Sequence, residues 1–428
     1  MGSWIRKGRD KGEKRVKKAA EELMQERAGR VKDALDLKIP DRVPLEIAFG
    51  YFPAKYAGIT ARASYYDYDA WLEACRKTVA DFGADISSVQ PFFPGKALEL
   101  LDPKTVKWPG HNAPEEHGHQ YVEGEFMEPG EYPLFLKDQT DFLLRQYLPR
   151  TFGAMEAFSR LPSLAGPPYG YYKGFAMANA FSDPEFMDAV ERLRTAGEEL
   201  RRWSNKMEAF DGEFRKLGFP PFVGGLTLAP FDALSDHLRG MRGSMLDLYR
   251  QPELVVAACE AILDRMVRDI RPAVPGGVNT IGIPLHRGSE GFMSIEQFER
   301  FYWPGLKGLI LALIDKGITP LVFFEGDYTS RLEYLLELPR GKIFAHMDSS
   351  DIFKVKEVIG SHLCFSGNVP CSLLTSGTVD DVKNHCKKMM DICAKDSGFI
   401  MSTRSPVDDV KPELLKTMID YTKEYGVY

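Results

Sequence analysis

The sequence predicts an α/β protein, a (β/α)8 TIM barrel with an N-terminal helical extension and an insertion after the second strand. Three observations predict it. The run at 321–324 is apolar throughout, too short for a helix and without a wet face, which is how a strand covered on both sides reads. An amphipathic run at 295–316 precedes it and apolar residues at helical spacing follow at 328–338, so a buried strand stands between helices, the order of a parallel sheet. The alternation recurs along the chain until eight strand-like stretches are placed, the count of a (β/α)8 barrel.

In chain order, residues 12–37 are dense in Lys, Glu, Ala and Arg, with Val16, Ala20, Leu23 and Met24 at helical spacing. They read as a solvated helix lying on the body, within an extension of residues 1–40 that precedes a barrel of 41–428. Strands are expected at 43–48, 84–89, 219–228, 278–285, 319–324, 342–347, 362–366 and 398–402. Helices are expected at 70–82 and 183–205. Between 93 and 173 the pattern breaks into Pro, Gly, His and aromatic clusters, with strand-like 120–126 and helical 140–148, and this is the insertion. Gly224 and Gly225 interrupt the third strand, where missing side chains let a ligand or another backbone come close. Ser294 with Gln297, and Thr378 with Asp381, are spaced to cap helix starts.

Composition excludes several classes. A chain of 428 residues with 44% hydrophobic content buries a large core. A net charge of −6, with no stripe of Lys and Arg interleaved with aromatics, argues against nucleic acid as partner. Residues 4–18 are basic but lack the apolar stretch of a signal peptide, and the apolar run near 309–314 is far too short to span a bilayer, so a cytoplasmic protein is expected. Six scattered cysteines without a CxxC pair read as thiols.

The chemistry is expected where strands end. Parallel sheets bind ligands beyond the carboxyl ends of their strands, and the stretch 319–331, TPLVFFEGDYTSR, runs from apolar strand straight into Glu325. A structural salt bridge between Glu325 and Arg331 is the plainer alternative. Other polar groups at strand ends are His286 and Arg287 after the fourth strand, His346 and Asp348 at the sixth, Asn368 after the seventh and Arg404 at the eighth. Phe49, Tyr51, Phe52, Phe92, Phe93 and Tyr328 fall at loop positions near strand ends as candidates for an aromatic pocket, with core packing as the competing reading. Glu115, His117 and His119 in EEHGH have metal-like spacing but sit in a Pro- and Gly-rich stretch that reads as a wet loop.

Several motifs resemble the uroporphyrinogen decarboxylase superfamily, whose members are (β/α)8 barrels. They are DRVPLE at 41–46, YFP at 51–53, GFPPFVGGLTLAPFDAL at 218–234, HRGSEGFMS at 286–294, FYWPGLKGLI at 301–310, SGNVP at 366–370, SGTVDDV at 376–382 and the closing KPELLKTMIDYTKEYG. The superfamily holds both decarboxylases and methyltransferases that work with corrinoid proteins. True decarboxylases carry an arginine-rich first-strand segment that grips substrate carboxylates; here that segment is EIAFGYFP, with Glu46 and Gly50 at the arginine positions. The aspartate expected after the second strand is absent from SVQPFFP. The closer resemblance is to the corrinoid-dependent methyltransferases, although the His-x-Cys zinc pair of the thiol-methylating branch becomes Phe323 and Glu325 here.

The resemblance implies a methyltransferase that moves a methyl group from a small methylated substrate, an aromatic methyl ether being one candidate, to the cobalt of a separate corrinoid (cobalamin) protein. No Asp-x-His-x-x-Gly cobalt-ligand motif occurs, which places the corrinoid on a partner. Glu325, His286 and Arg404 are the expected catalytic residues; Phe49, Tyr51, Arg287, Phe324, Tyr328 and Asn368 are expected to bind substrate. Two routes to a better leaving oxygen stand open: a Zn2+ held by His286, Glu325, His346 and Asp348, or Glu325 as a general acid without metal. A homodimer is implied by the resemblance alone. The competing readings are a decarboxylase or lyase with Arg287 or Arg404 on the carboxylate, and a non-catalytic corrinoid- or porphyrin-binding barrel.

Overall fold

The computed structural model describes residues 20–428 except 90–91, 166, 168 and 274–277; the basic segment 4–18, the start of the first expected helix and part of SVQPFFP lie outside the described residues. The barrel strands are β1 (Glu46–Phe49), β2 (Ile86–Val89), β3 (Gly225–Leu226), β4 (Thr280–Leu285), β5 (Thr319–Phe324), β6 (Phe344–Met347), β7 (Cys364–Val369) and β8 (Phe399–Thr403). All ladders between them are parallel: β1 pairs with β2, and β3 through β8 form one sheet in sequence order. The ring closes through the parallel bridges Leu45 to Met401 and Phe49 to Val407. Among the described residues no ladder joins β2 to β3.

Strand alternation sorts the side chains into two cores. Ile47, Phe49, Ile283, Leu285, Val322, Phe324, Met347 and Met401 point outward and are buried beneath the helices, with Leu306, Leu309, Ile310 and Leu313 of α5 and Val355 and Ile359 of α6 among their partners. Here α5 is Trp303–Asp315 and α6 is Ile352–Ile359. Ile86, Phe344, Cys364 and Ile400 point inward and form a separate cluster with Leu321 and Phe222. Val31 and Ala34 of α1 (Ala20–Leu35) join that inner cluster, so the N-terminal helix plugs the end of the barrel opposite the mouth. Arg30, 4% exposed, ties the plug to the barrel through Asp85, at 2.6 Å, and Asp41. The helix is therefore docked on one face, where the sequence suggested a solvated one.

Other helices used below are α2 (Tyr68–Phe82), α3 (Pro184–Lys216), α4 (Pro252–Asp269), α7 (Val379–Cys393) and α8 (Pro412–Tyr425). Both expected caps are present as reciprocal boxes, Ser294 with Gln297 and Thr378 with Asp381. The third strand is much shorter than 219–228. At its start a Cβ on Gly224 would come within 2.5 Å of the Val278 carbonyl oxygen, so the bare glycine lets a neighbouring backbone approach. The segment after β5 winds as a 3-10 helix, Thr329–Glu337, in place of an α-helix. All six cysteines are free thiols, five of them buried.

Candidate active site

The mouth between β3 and β6 gathers one imidazole, one guanidinium and several carboxylates. His286 follows β4 directly, and its Nδ1 lies 2.5 Å from Asp236 Oδ2. Its Nε2 faces Glu325 Oε2 at 3.8 Å, too far for a hydrogen bond, so both atoms can turn toward one oxygen seated beside the gap at about 2.8 Å from each. Arg287 reaches Asp236 Oδ1 at 3.1 Å and Ser235 Oγ at 3.3 Å, and lies 3.9 Å from Glu123 of the insertion. Asp348 stands beside Glu325: its Oδ2 accepts the Gly326 amide at 2.9 Å. Gly326 has φ +93°, a conformation glycine adopts without strain, and it turns the chain out of β5 just after Glu325.

Beneath this group lies Asp232, fully buried. Its carboxylate accepts the backbone N–H groups of His286 at 3.0 Å and Arg287 at 2.9 Å, and the Tyr302 hydroxyl at 2.5 Å. Asp232 and Asp236 sit on one short segment whose winding is widened to i→i+5 over Ala233–Arg239, a geometry frequent at functional sites.

The environment moves the proton affinities of these groups. Burial works against a charged His286, but the hydrogen bond and charge of Asp236, helped by Asp232 and Glu325, carry its pKa above the usual imidazole value. Burial also raises Glu325, with Asp348 and Asp236 adding to it against the pull of His286 and Arg287. Burial pushes Asp232 up to about 6, against the hydrogen bonds it accepts. A carboxyl and an imidazole with raised proton affinity thus share one half-open mouth, the pattern of a functional site.

A second polar group lies deeper, on the inward faces of β1, β6, β7 and β8. Glu46 and His346 are both buried and approach to 3.3 Å; Ser402 donates to Glu46 at 2.6 Å. His346 Nε2 lies 3.2 Å from the Arg404 carbonyl oxygen. One ring nitrogen thus faces a carbonyl, and the other faces the Glu46 carboxylate and the Ser366 hydroxyl at 3.1 Å, surroundings that favour the protonated ring. Its pKa is raised, burial being outweighed by Glu46, and that of Glu46 is lowered, burial being outweighed by His346 and Ser402.

Of the residues expected at the site, the structure brings together His286, Arg287, Glu325 and Asp348. It does not bring the proposed zinc set together. His346 lies deeper, with both ring nitrogens engaged by protein partners, and among the described residues no three His, Cys, Asp or Glu side chains form a metal-binding group. The residues present do not fit that ion. Arg404 offers its carbonyl to His346, and its guanidinium charge, after burial, lowers the pKa of His385 on α7. Phe49 is 1% exposed and stacks on Phe52, and Phe324 is buried edge-on to Tyr328, which is itself 1% exposed. All three are core residues: alternation turns Phe49 and Phe324 toward the helices, and Tyr328, in the loop after β5, packs on Phe324. Asn368 spends its amide N–H groups on the Asp348 and Ser350 carbonyls at 2.8 Å, so it holds the loop beside Glu325. Arg331 is buried over Phe298 and donates to Ser330 and the Met293 carbonyl, which leaves no ion pair with Glu325. Tyr51 sits at the β1 end, stacked on Phe92 at 4.4 Å, with its hydroxyl bound to His119 Nδ1 at 2.8 Å and to the His119 amide at 3.0 Å. His119 is therefore half-buried and anchored, whereas Glu115 and His117 are exposed as a wet loop would be.

Sequence reading missed Asp236, Asp232 and Tyr302. The signal that was there is the i,i+4 spacing of the two aspartates in FDALSD, which puts both on one helical face.

A parallel (β/α)8 barrel whose mouth holds an Asp-His-Glu array defines the class of protein. The profile of the uroporphyrinogen decarboxylase (URO-D) family matches residues 178–425, more than half of the chain, and the chain belongs to that family. Among solved structures it is similar to a methyltransferase from Methanosarcina mazei, with TM-score 0.57 and 15% identity over 92% of this chain and 98% of that one; at this identity the likeness concerns the fold. A B12-independent methionine synthase from Shewanella sp. W3-18-1, in complex with selenomethionine, is matched at TM-score 0.29 and 9% identity over 46% of this chain and 59% of that one, and carries no argument. No curated protein matches the chain. Among the described residues no helix is long and apolar enough to cross a membrane.

Proposed function

We propose that this protein is the substrate-side methyltransferase of a corrinoid-dependent system, taking a methyl group from a small methylated molecule such as an aromatic methyl ether. Membership of the URO-D family and the shared fold support a place near such enzymes. The observation that carries the reading is His286, fixed on one side to Asp236 at 2.5 Å and facing Glu325 at 3.8 Å on the other. An ether oxygen beside the gap, capping Nε2 and the Glu325 carboxyl together, is within reach of both, and both groups hold a proton more tightly than usual. As the carbon–oxygen bond breaks, the oxygen keeps the bonding pair and takes a proton from this array, which makes it a better leaving group. The reduced corrinoid of a partner protein supplies the nucleophile that accepts the methyl. Asp236 holds the imidazole in the orientation that presents Nε2 to the substrate, and Arg287 is held on the same carboxylate.

Decarboxylation of a polycarboxylated substrate is disfavoured by charge. The first-strand segment offers Glu46, a carboxylate buried on His346, where an arginine would be needed to grip substrate carboxylates. The test is product analysis with methoxylated aromatics: the demethylated phenol forms only when reduced corrinoid is present. Phenol or CO2 released without corrinoid contradicts the proposal.

A further inference from the structure

We infer that Asp232 is a positioning residue: it grips the backbone of His286 and Arg287 so that the imidazole meets Asp236 on one side and the substrate on the other. The inference rests on the catalytic reading of His286 given above.

Asp232 is fully buried and cannot touch a substrate in the mouth. Its two oxygens nonetheless take hydrogen bonds from two consecutive residues, His286 and Arg287, whose side chains reach the mouth. One turn further along the same segment, Asp236 takes the side chain of His286, and Ser235 takes Nε of Arg287. A single short element therefore holds both the backbone and the side chains of the pair. Its widened winding lets residues 232, 235 and 236 all face the end of β4. A strand end held only by its ladder has lost its neighbours on one side and is free to twist; two charge-assisted bonds to adjacent amides remove that freedom.

Tyr302 completes the arrangement from outside. It is 1% exposed, its hydroxyl donates to Asp232 Oδ2, and its ring packs on Gly288, where a Cβ would come within 2.5 Å of the ring. Gly288 thus admits the tyrosine close against the turn that follows His286. In its ionised form the carboxylate accepts all three donors. Asparagine at 232 would turn an NH2 group toward a backbone N–H, setting donor against donor, and the turn would shift.

The test compares Asp232→Asn and Tyr302→Phe with the unmodified protein by two readouts. The first is methyl transfer, with kcat and KM separated. The second is the proton spectrum of the imidazole N–H between His286 and Asp236, assigned by its disappearance in Asp236→Asn. The expected result for Asp232→Asn is a fall in kcat of about tenfold or more, KM for the methyl donor unchanged, and the downfield N–H signal broadened or lost. Tyr302→Phe keeps the packed ring and should show the same pattern more weakly. A folded Asp232→Asn with full kcat and an intact signal overturns the inference, as does a rise in KM alone. Should Asp232→Asn fail to fold, Tyr302→Phe decides, and unchanged kcat with an unchanged signal overturns it. If the unmodified protein transfers no methyl group, the functional reading falls. The N–H signal then still decides the positioning role.

Discussion

Replacing Asp236 by Asn isolates the charge that holds His286. The two side chains have nearly the same shape, so the imidazole keeps a neighbour at Nδ1 but loses a carboxylate 2.5 Å away. A hydrogen bond to a charged group is worth about 1.5–3 kcal/mol. His286 is about a third exposed (32%), so the lower end, about 1.5 kcal/mol, is the appropriate figure. The same loss lowers the His286 pKa in the variant. The sign follows from linkage: a histidine raised by its partner contributes stability that is complete below about pH 6.5, its unfolded value, and is lost as pH rises through the folded value. Asp236→Asn should therefore be destabilised by about 1.5 kcal/mol near pH 6 and approach the unmodified protein at high pH. Urea unfolding at several pH values, with NMR titration of the His286 ring, measures both quantities. An unmoved or raised His286 pKa in the variant would refute the reasoning, because it would mean that Asp236 does not stabilise the imidazolium.

Glu325→Gln should lower kcat by about 10²-fold or more with little change in substrate KM, read in steady-state methyl transfer. Glu46→Gln leaves a buried His346 without its carboxylate and should cost about 3–5 kcal/mol in urea unfolding. The depressed Glu46 contributes only above about pH 4.3 and the raised His346 fully only below about pH 6.5, so the loss should be largest between those values. Phe49→Ala should cost about 3–5 kcal/mol of stability and leave KM unchanged, since Phe49 packs under α2 against Phe82 at 6.2 Å and lies outside the pocket.

The barrel was legible because its signal is local. β5 falls at Thr319–Phe324 as expected, since an uninterrupted apolar run bounded by helices has one reading. The placement of Glu325 at the mouth followed from topology alone. What the sequence did not disclose depends on contacts across many residues. Asp236 and His286 are 50 positions apart, and nothing in periodicity pairs them. Phe49 and Phe324 looked like pocket residues because being near a strand end does not say which face a side chain takes; alternation turned both toward the helices. His346 seemed a metal ligand until Glu46, three hundred residues earlier in the fold's first strand, proved to share its side of the barrel. The close approach of the Val278 carbonyl to Gly224, at the start of the short β3, is visible only in the tertiary structure.

The most direct measurement is to mix the purified protein with cob(I)alamin and methoxylated aromatics labelled with 13C in the methyl group, and to follow the label by NMR. Protein-dependent appearance of the label on cobalt, abolished in Glu325→Gln, is the result the account predicts. Label that stays on oxygen across the panel, with CO2 released from a carboxylic acid in the absence of corrinoid, would contradict it.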